Sequence, residues 1–166
     1  TPTGRETGVA LFGDRVTRCY LPYDYPGAVA RFLDRFRPAM GVLMETEIWP
    51  NLIHAAASRD ILLYLVNARL SERSLRGYQR TGALARDAIG GFRAIAAQSE
   101  SDAARLQTLG ATHVSVTGNL KFDLEMPAQQ IEQGKVLRQS VGARPVLLAA
   151  STREGEETLL LDAAQR

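Results

Sequence analysis

The spacing of apolar residues switches repeatedly between two periods along the chain. Ile61 to Val66 is an unbroken apolar run, which predicts a strand buried on both faces. Val29, Phe32, Leu33 and Phe36 instead recur at three- and four-residue intervals, which predicts a helix over Ala28 to Phe36, opened by Asp24 and Pro26 and stopped by Pro38. Thr3 and Glu6 have capping-box spacing ahead of a short helix that Gly13 closes, and Val16 to Leu21 then reads as a strand. Val42 to Met44 is a second strand, followed by a helix over Asn51 to Ser58 with Pro50 in its first turn. Beyond the run at Ile61, Ser71 begins a helix and Ala83 to Ile89 forms another. Strand Ala94 to Ala97, a helix from Asp102 to Leu109 opened by Ser99, and strand Val114 to Thr117 complete the series. Strands alternating with short helices imply right-handed crossovers. The expected fold is α/β, a Rossmann-like parallel sheet with helices on both faces.

The rhythm breaks after Thr117. Gly118 to Pro127 has no clear period, a helix resumes from about Gln129 to Val141, Pro145 to Ala150 reads as a new strand, and a last helix follows Ser151 to Glu157 and runs to the end of the chain. One strand and one helix cannot bury their own faces. The expected organisation is therefore a domain over 1–126, missing its start, and a linker helix with the first strand–helix unit of a second domain over 127–166.

Composition narrows the function classes. With 166 residues, 45% hydrophobic and 23% charged, the chain has the makeup of a globular domain. It contains no apolar stretch of roughly 18 residues and no signal-peptide pattern at its first residues. The absence of an initiator methionine reads as a cut start. A single cysteine, Cys19, and two histidines, His54 and His113, cannot assemble a Cys/His metal cage, and no cofactor is expected. The formal charge of +2 is too small for a nucleic-acid binder, but 18 of the 20 basic residues are arginine, whose planar fork suits phosphates and carboxylates. A codon bias toward arginine explains the same count, so placement has to decide.

In an open parallel sheet, ligands sit beyond the carboxyl ends of the strands. Glu45 and Glu47 follow the strand at 42–44, Asn67, Arg69 and Ser71 follow 61–66, Gln98 to Glu100 follow 94–97, and Gly118 to Lys121 follow 114–117. Ser71 and Ser99 also suit plain helix caps. Arg69, Arg73, Arg76 and Arg80 fall within about 60° of one another on a helical wheel, a basic stripe with only Glu72 as an obvious counter-ion. Such a stripe is either a solvated helix face or a seat for an anion. These residues support an α/β domain that binds a phosphorylated or carboxylated ligand at its rim.

Six strings, in order, carry more: "LFGDRVTRCYLPYDYPGAVARFLDRFRP", "VLMETEIWPNL", "LVNARLSERSLRGYQR", "AQSESDAARLQTLGA", "VTGNLKFD" and "RPVLLAASTREGEE". Together they resemble the 3-deoxy-D-manno-octulosonic acid (Kdo) transferases over nearly the whole chain. The resemblance implies the N-terminal, acceptor-binding domain of a two-domain GT-B glycosyltransferase, inverting and metal-independent. CMP-Kdo would be the donor and the lipid A precursor the acceptor, at the cytoplasmic face of the inner membrane with its anionic surface.

Residue by residue, the family's Glu-Thr-Glu motif falls on Glu45, Thr46 and Glu47, which makes the two glutamates the catalytic candidates, Glu45 first. Asn67, Arg69, Ser71, Arg73, Arg76 and Lys121 would hold the acceptor. Ser151, Thr152 and Arg153 would hold the donor phosphate at a helix N-terminus, although Arg153 stands where the family often has histidine. The hydrophobic anchor and the Gly-Ala-Ser-x-Gly-Glu motif with which the family begins do not occur in these residues. The family's main base is thus expected upstream of Thr1, and the chain alone is expected to be inactive. Two alternatives share the observations: another GT-B nucleotide-sugar enzyme or epimerase, and a non-catalytic binder of anionic lipid.

Overall fold

The computed structural model describes residues 2–164. Its elements are α1 (Pro2–Phe12), α2 (Pro26–Phe36), β1 (Met40–Met44), α3 (Pro50–Ala57), β2 (Leu62–Ala68), α4 (Glu72–Arg80), α5 (Ala83–Gly90), β3 (Ala94–Ala97), α6 (Glu100–Thr108), β4 (Val114–Val116), α7 (Ala128–Val141) and α8 (Glu156–Ala164). Four strands form one parallel sheet in the order β1-β2-β3-β4. The expected fold is present: a Rossmann-like α/β layer in which each strand returns through a helix to pair with its predecessor. The chain divides into two compact units, residues up to Asp123 and residues from Leu124 onward.

The core of the first unit lies on one face of the sheet. Leu63 and Leu65 of β2 and Ile95 and Ala97 of β3 are buried, and they share one cluster with Val29 and Leu33 of α2, Leu52, Ile53 and Ala56 of α3, Ala88 and Ile89 of α5 and Leu106 of α6. Side chains alternate across a strand, so the neighbouring positions point the other way. There Leu62 is exposed, Tyr64 and Val66 are half-buried, and Met40, Val42 and Met44 of β1 are exposed. The run 61–66 is therefore buried deeply on one face and only in part on the other. Leucines packed on the helices place every second side chain in the core, and period 2 leaves the rest outside.

Local chemistry explains the helix starts. Pro50 takes the first turn of α3, where its missing N–H costs nothing. The cap comes from a distant residue: Asp24 accepts from the backbone N–H groups of Asn51 (3.0 Å) and Leu52 (2.8 Å), while the Asn51 side-chain amide donates back to the Asp24 carbonyl (2.6 Å). Asp24 thus serves the helix after the one it was expected to open. Ser71 and Ser99 cap α4 and α6 by accepting from Ser74 N–H (3.1 Å) and Asp102 N–H (3.2 Å).

Three expectations fail. The first helix starts at Pro2, so Thr3 lies inside it and caps nothing. Val16 to Leu21 and Pro145 to Ala150 are irregular. Neither run finds a neighbouring strand among the described residues, and an extended segment without a partner has nowhere to place its backbone N–H and C=O groups in a ladder. The last two residues of the final helix expected to reach the chain end lie outside the described residues.

Candidate functional site

The carboxyl ends of the strands carry two backbone conformations that side chains rarely adopt. Glu45, directly after β1, has φ 59° and Asn67, near the end of β2, has φ 50°. The register between β2 and β3 shifts between Leu65 and Ala68, so Asn67 sits in a bulge. Left-handed backbone at a non-glycine residue costs on the order of 1 kcal/mol, and such outliers gather at functional sites. Bulges re-aim side chains in the same way. Asn67 falls on the same alternate positions of β2 as Leu63 and Leu65, and its polar side chain is buried.

Beside this bulge is a polar pocket of about 380 Å³ lined by Thr46, Arg69, Ser71, Ser74, Gln98 and Asp102. Asp102 is committed: it accepts from Leu70 N–H (2.9 Å) and from the Ser99 hydroxyl, and it lies 3.5 Å from the Arg105 guanidinium. Arg105 in turn donates to the Leu70 carbonyl (3.1 Å). The Ser71 hydroxyl donates to Ser74 Oγ (3.0 Å). Arg69 is exposed and has no hydrogen-bond or ion-pair partner among the described residues. The pocket therefore offers one uncommitted cation framed by hydroxyls, an amide and a neutralised carboxylate. That set suits an anionic or polyhydroxylated ligand.

The expected site residues separate into groups. Arg69 and Ser71 line the pocket. Glu45 and Glu47 flank its Thr46 in sequence without lining it. The Glu47 carboxylate accepts from the Trp49 indole N–H (2.6 Å), so Trp49 anchors a candidate acid as well as packing against the core. Glu47 also acts on Tyr78, whose phenol is pushed above its ordinary value by burial first and by the Glu47 charge second. The Glu45 carboxylate is exposed and has no partner among the described residues.

Arg73, Arg76 and Arg80 lie exposed along α4, and Arg76 lies 3.7 Å from Glu72. Arg69 precedes that helix, so three arginines form the helical stripe and the fourth belongs to the pocket. The Lys121 ammonium stands 5.1 Å from the Phe122 ring centroid.

In the second unit, α8 begins at Glu156, beyond Ser151, Thr152 and Arg153. Carboxylates take the position expected for a phosphate. Thr152 donates to Glu157 (2.5 Å), and Arg153 N–H donates to Glu156 (2.9 Å). The Thr152 hydroxyl, and then the Glu157 backbone N–H, hold the Glu157 carboxyl below its ordinary value.

Sequence reasoning placed Gln98 and Asn119 at the rim without a task of their own and gave no site role to Thr46, Ser74 or Asp102. Asp102 was findable, because Ser99-x-x-Asp102 has capping-box spacing. Thr46 and Gln98 stand after β1 and β3 and Ser74 in the first turn of α4, and no periodicity announces that they meet in one pocket.

Comparison with known proteins bears on this site. The family model for 3-deoxy-D-manno-octulosonic-acid transferase (kdotransferase) matches residues 1–124. A 3-deoxy-D-manno-octulosonic acid transferase of Bordetella pertussis is 44% identical over 98% of the chain and 39% of its own length. One of Haemophilus influenzae is 39% identical over 97% of the chain and 38% of its own length. A bifunctional glycosyltransferase/methyltransferase of Fusobacterium nucleatum is 33% identical over the whole chain and 27% of its own length. The chain thus spans about two fifths of the length of these Kdo transferases.

Proposed function

Because the chain belongs to the 3-deoxy-D-manno-octulosonic-acid transferase family, we propose that it forms the acceptor-binding part of an enzyme that transfers Kdo from CMP-Kdo to the lipid A precursor in lipopolysaccharide biosynthesis. The observation that carries this reading is the rim pocket with its uncommitted Arg69. A phosphorylated sugar acceptor presents an anion to the guanidinium and hydroxyls to Thr46, Ser71 and Ser74, the groups the pocket offers.

In the proposed reaction a carboxylate removes the proton from the acceptor hydroxyl, whose oxygen bonds to the anomeric carbon of Kdo as the bond to CMP breaks. The attack inverts that carbon, and CMP carries away the electron pair without a metal. Glu45 and Glu47 are the acidic candidates here. Glu47 is held by Trp49, which suits fixed orientation; Glu45 is uncommitted and held in strained backbone, which suits contact with a substrate. Arg73, Arg76 and Lys121 extend the cationic surface toward the acceptor's phosphates and an anionic inner-membrane surface at its cytoplasmic side. Ser151, Thr152 and Arg153 would take the donor phosphate only if it displaced Glu157 from Thr152.

The test uses a Kdo transferase that carries these 166 residues. Arg69→Gln is expected to raise the acceptor KM roughly ten- to hundredfold, the loss of one charge-assisted contact, with the KM for CMP-Kdo unchanged. Glu45→Gln is expected to lower turnover by about 10²-fold or more. An unchanged acceptor KM in the first variant, or full turnover in the second, overturns the role assigned to that residue.

A further inference from the structure

Between the pocket and Lys121 runs an unbroken series of amides. The Asn67 backbone carbonyl accepts from Gln98 Nε2 (2.9 Å), Gln98 Oε1 accepts from Asn119 Nδ2 (2.9 Å), and Asn119 Oδ1 accepts from the Lys121 backbone N–H (3.0 Å). A second strut joins the same ends, since Asn67 Oδ1 accepts from Leu120 N–H (3.2 Å). The two termini of the series determine the orientation of everything between them. A backbone carbonyl can only accept and a backbone N–H can only donate, so Gln98 must turn its nitrogen to Asn67, and Asn119 must turn its nitrogen to Gln98. Each amide donates at one end and accepts at the other, and bonds in such chains polarise one another.

Gln98 is also one of the residues lining the pocket. We propose that Gln98 is a positioning residue that, with Asn67 and Asn119, fixes where the segment Leu120–Asp123 holds Lys121 at the carboxyl end of the sheet. This rests on the function proposed above, in which Lys121 serves the acceptor. Asn67, expected from the sequence to touch the acceptor, instead acts through this relay: its side chain is buried and its oxygen is committed to Leu120. The bulge at Asn67 is what brings its carbonyl and its side chain into reach of both Gln98 and Leu120.

Two measurements test the proposal. In the chain itself, Gln98→Met keeps the length of the side chain and removes both hydrogen bonds. Amide hydrogen exchange at Leu120 and Lys121 is expected to quicken about tenfold, while Leu65 and Ile95 in the sheet keep their protection. Loss of protection throughout the sheet, or none at Leu120 and Lys121, overturns the proposal.

In a Kdo transferase carrying these residues, Gln98→Met and Lys121→Ala are each expected to raise the acceptor KM. If one acts through the other, the double variant is no worse than Lys121→Ala alone. Effects that multiply mean that Gln98 acts independently, which overturns the relay and leaves the role of Lys121 standing. A silent Lys121→Ala overturns the acceptor role of Lys121, and the relay with it.

Discussion

Two apolar runs of the same length and similar composition end up in different states. Ile61 to Val66 becomes the second strand of the sheet, paired on one side with Met40–Met44 and on the other with Ala94–Ala97, and its Leu65 is 1% exposed. Pro145 to Ala150 remains irregular, and its Leu148 is 84% exposed. The difference lies outside the runs. A strand gains stability from what pairs with it and what covers it. The first run has two partner strands and a helix layer, whereas the described residues from Leu124 onward offer helices α7 and α8 with no buried residue at all. Strand character in these residues belongs to the neighbourhood more than to the segment.

The largest effect expected from this contrast is in stability. Leu65→Ala should lower the free energy of urea unfolding by about 2–5 kcal/mol, the cost of emptying a fully packed core position. Leu148→Ala should change it by less than ~0.5 kcal/mol, as at an exposed surface position. Similar losses for both would mean that Leu148 is covered in solution and that the contrast drawn between the two runs is wrong.

Glycines give the same contrast at a smaller scale. A Cβ added at Gly91 would stand 2.4 Å from Ile53 Cγ2, inside the core, so α3 and α5 approach closely only because that side chain is missing. Gly91→Ala is expected to cost about 1–3 kcal/mol by overpacking. At Gly134, within α7, an added Cβ meets nothing within 4 Å. There alanine should raise helix stability by roughly 0.5–1 kcal/mol, visible as increased ellipticity at 222 nm. The two substitutions are chemically identical and should have opposite signs. Matching signs would break the division into a packed and an open region.

How much could be read in advance follows the same division. The helices at 26–36, 50–57, 72–80 and 100–108 and the strands at 40–44, 62–68 and 94–97 were legible because apolar period, Pro at the first turn and Ser caps all agree there. Val16–Leu21 and Pro145–Ala150 misled because periodicity reports a capacity to be a strand and says nothing of a partner. At the site, the rim was legible as a place, since parallel topology puts loops there. Its details were not. The bulge at Asn67, the commitment of Asp102 to Leu70 N–H and the hold of Trp49 on Glu47 join residues distant in sequence or depend on a backbone conformation that the side-chain pattern does not encode.

The smallest effects are expected in titration, and they too differ in sign between the two units. Glu157 holds its proton less tightly in the folded chain, through the Thr152 hydroxyl and its own N–H, so its contribution is present above the ordinary carboxylate range and is lost as pH falls through its depressed value. Tyr78 holds its proton more tightly when folded, chiefly through burial and then through the Glu47 charge. Its contribution is whole below the ordinary tyrosine value of about 10 and is lost as pH rises through the raised folded value. Absorbance at 295 nm should therefore show Tyr78 ionising in a last step above the ordinary tyrosine value. Tyr78→Phe should remove that last step, and Glu47→Gln should move it down by less than unfolding does, because burial is the larger cause. If the last step survives Tyr78→Phe, another tyrosine is the protected one, and Tyr78 of α4 is not packed against the core beside Glu47 as the structure has it. If Glu47→Gln leaves the step where it was, the Glu47 carboxylate is not held close to the phenol, and the anchoring of that carboxylate by Trp49 loses its support.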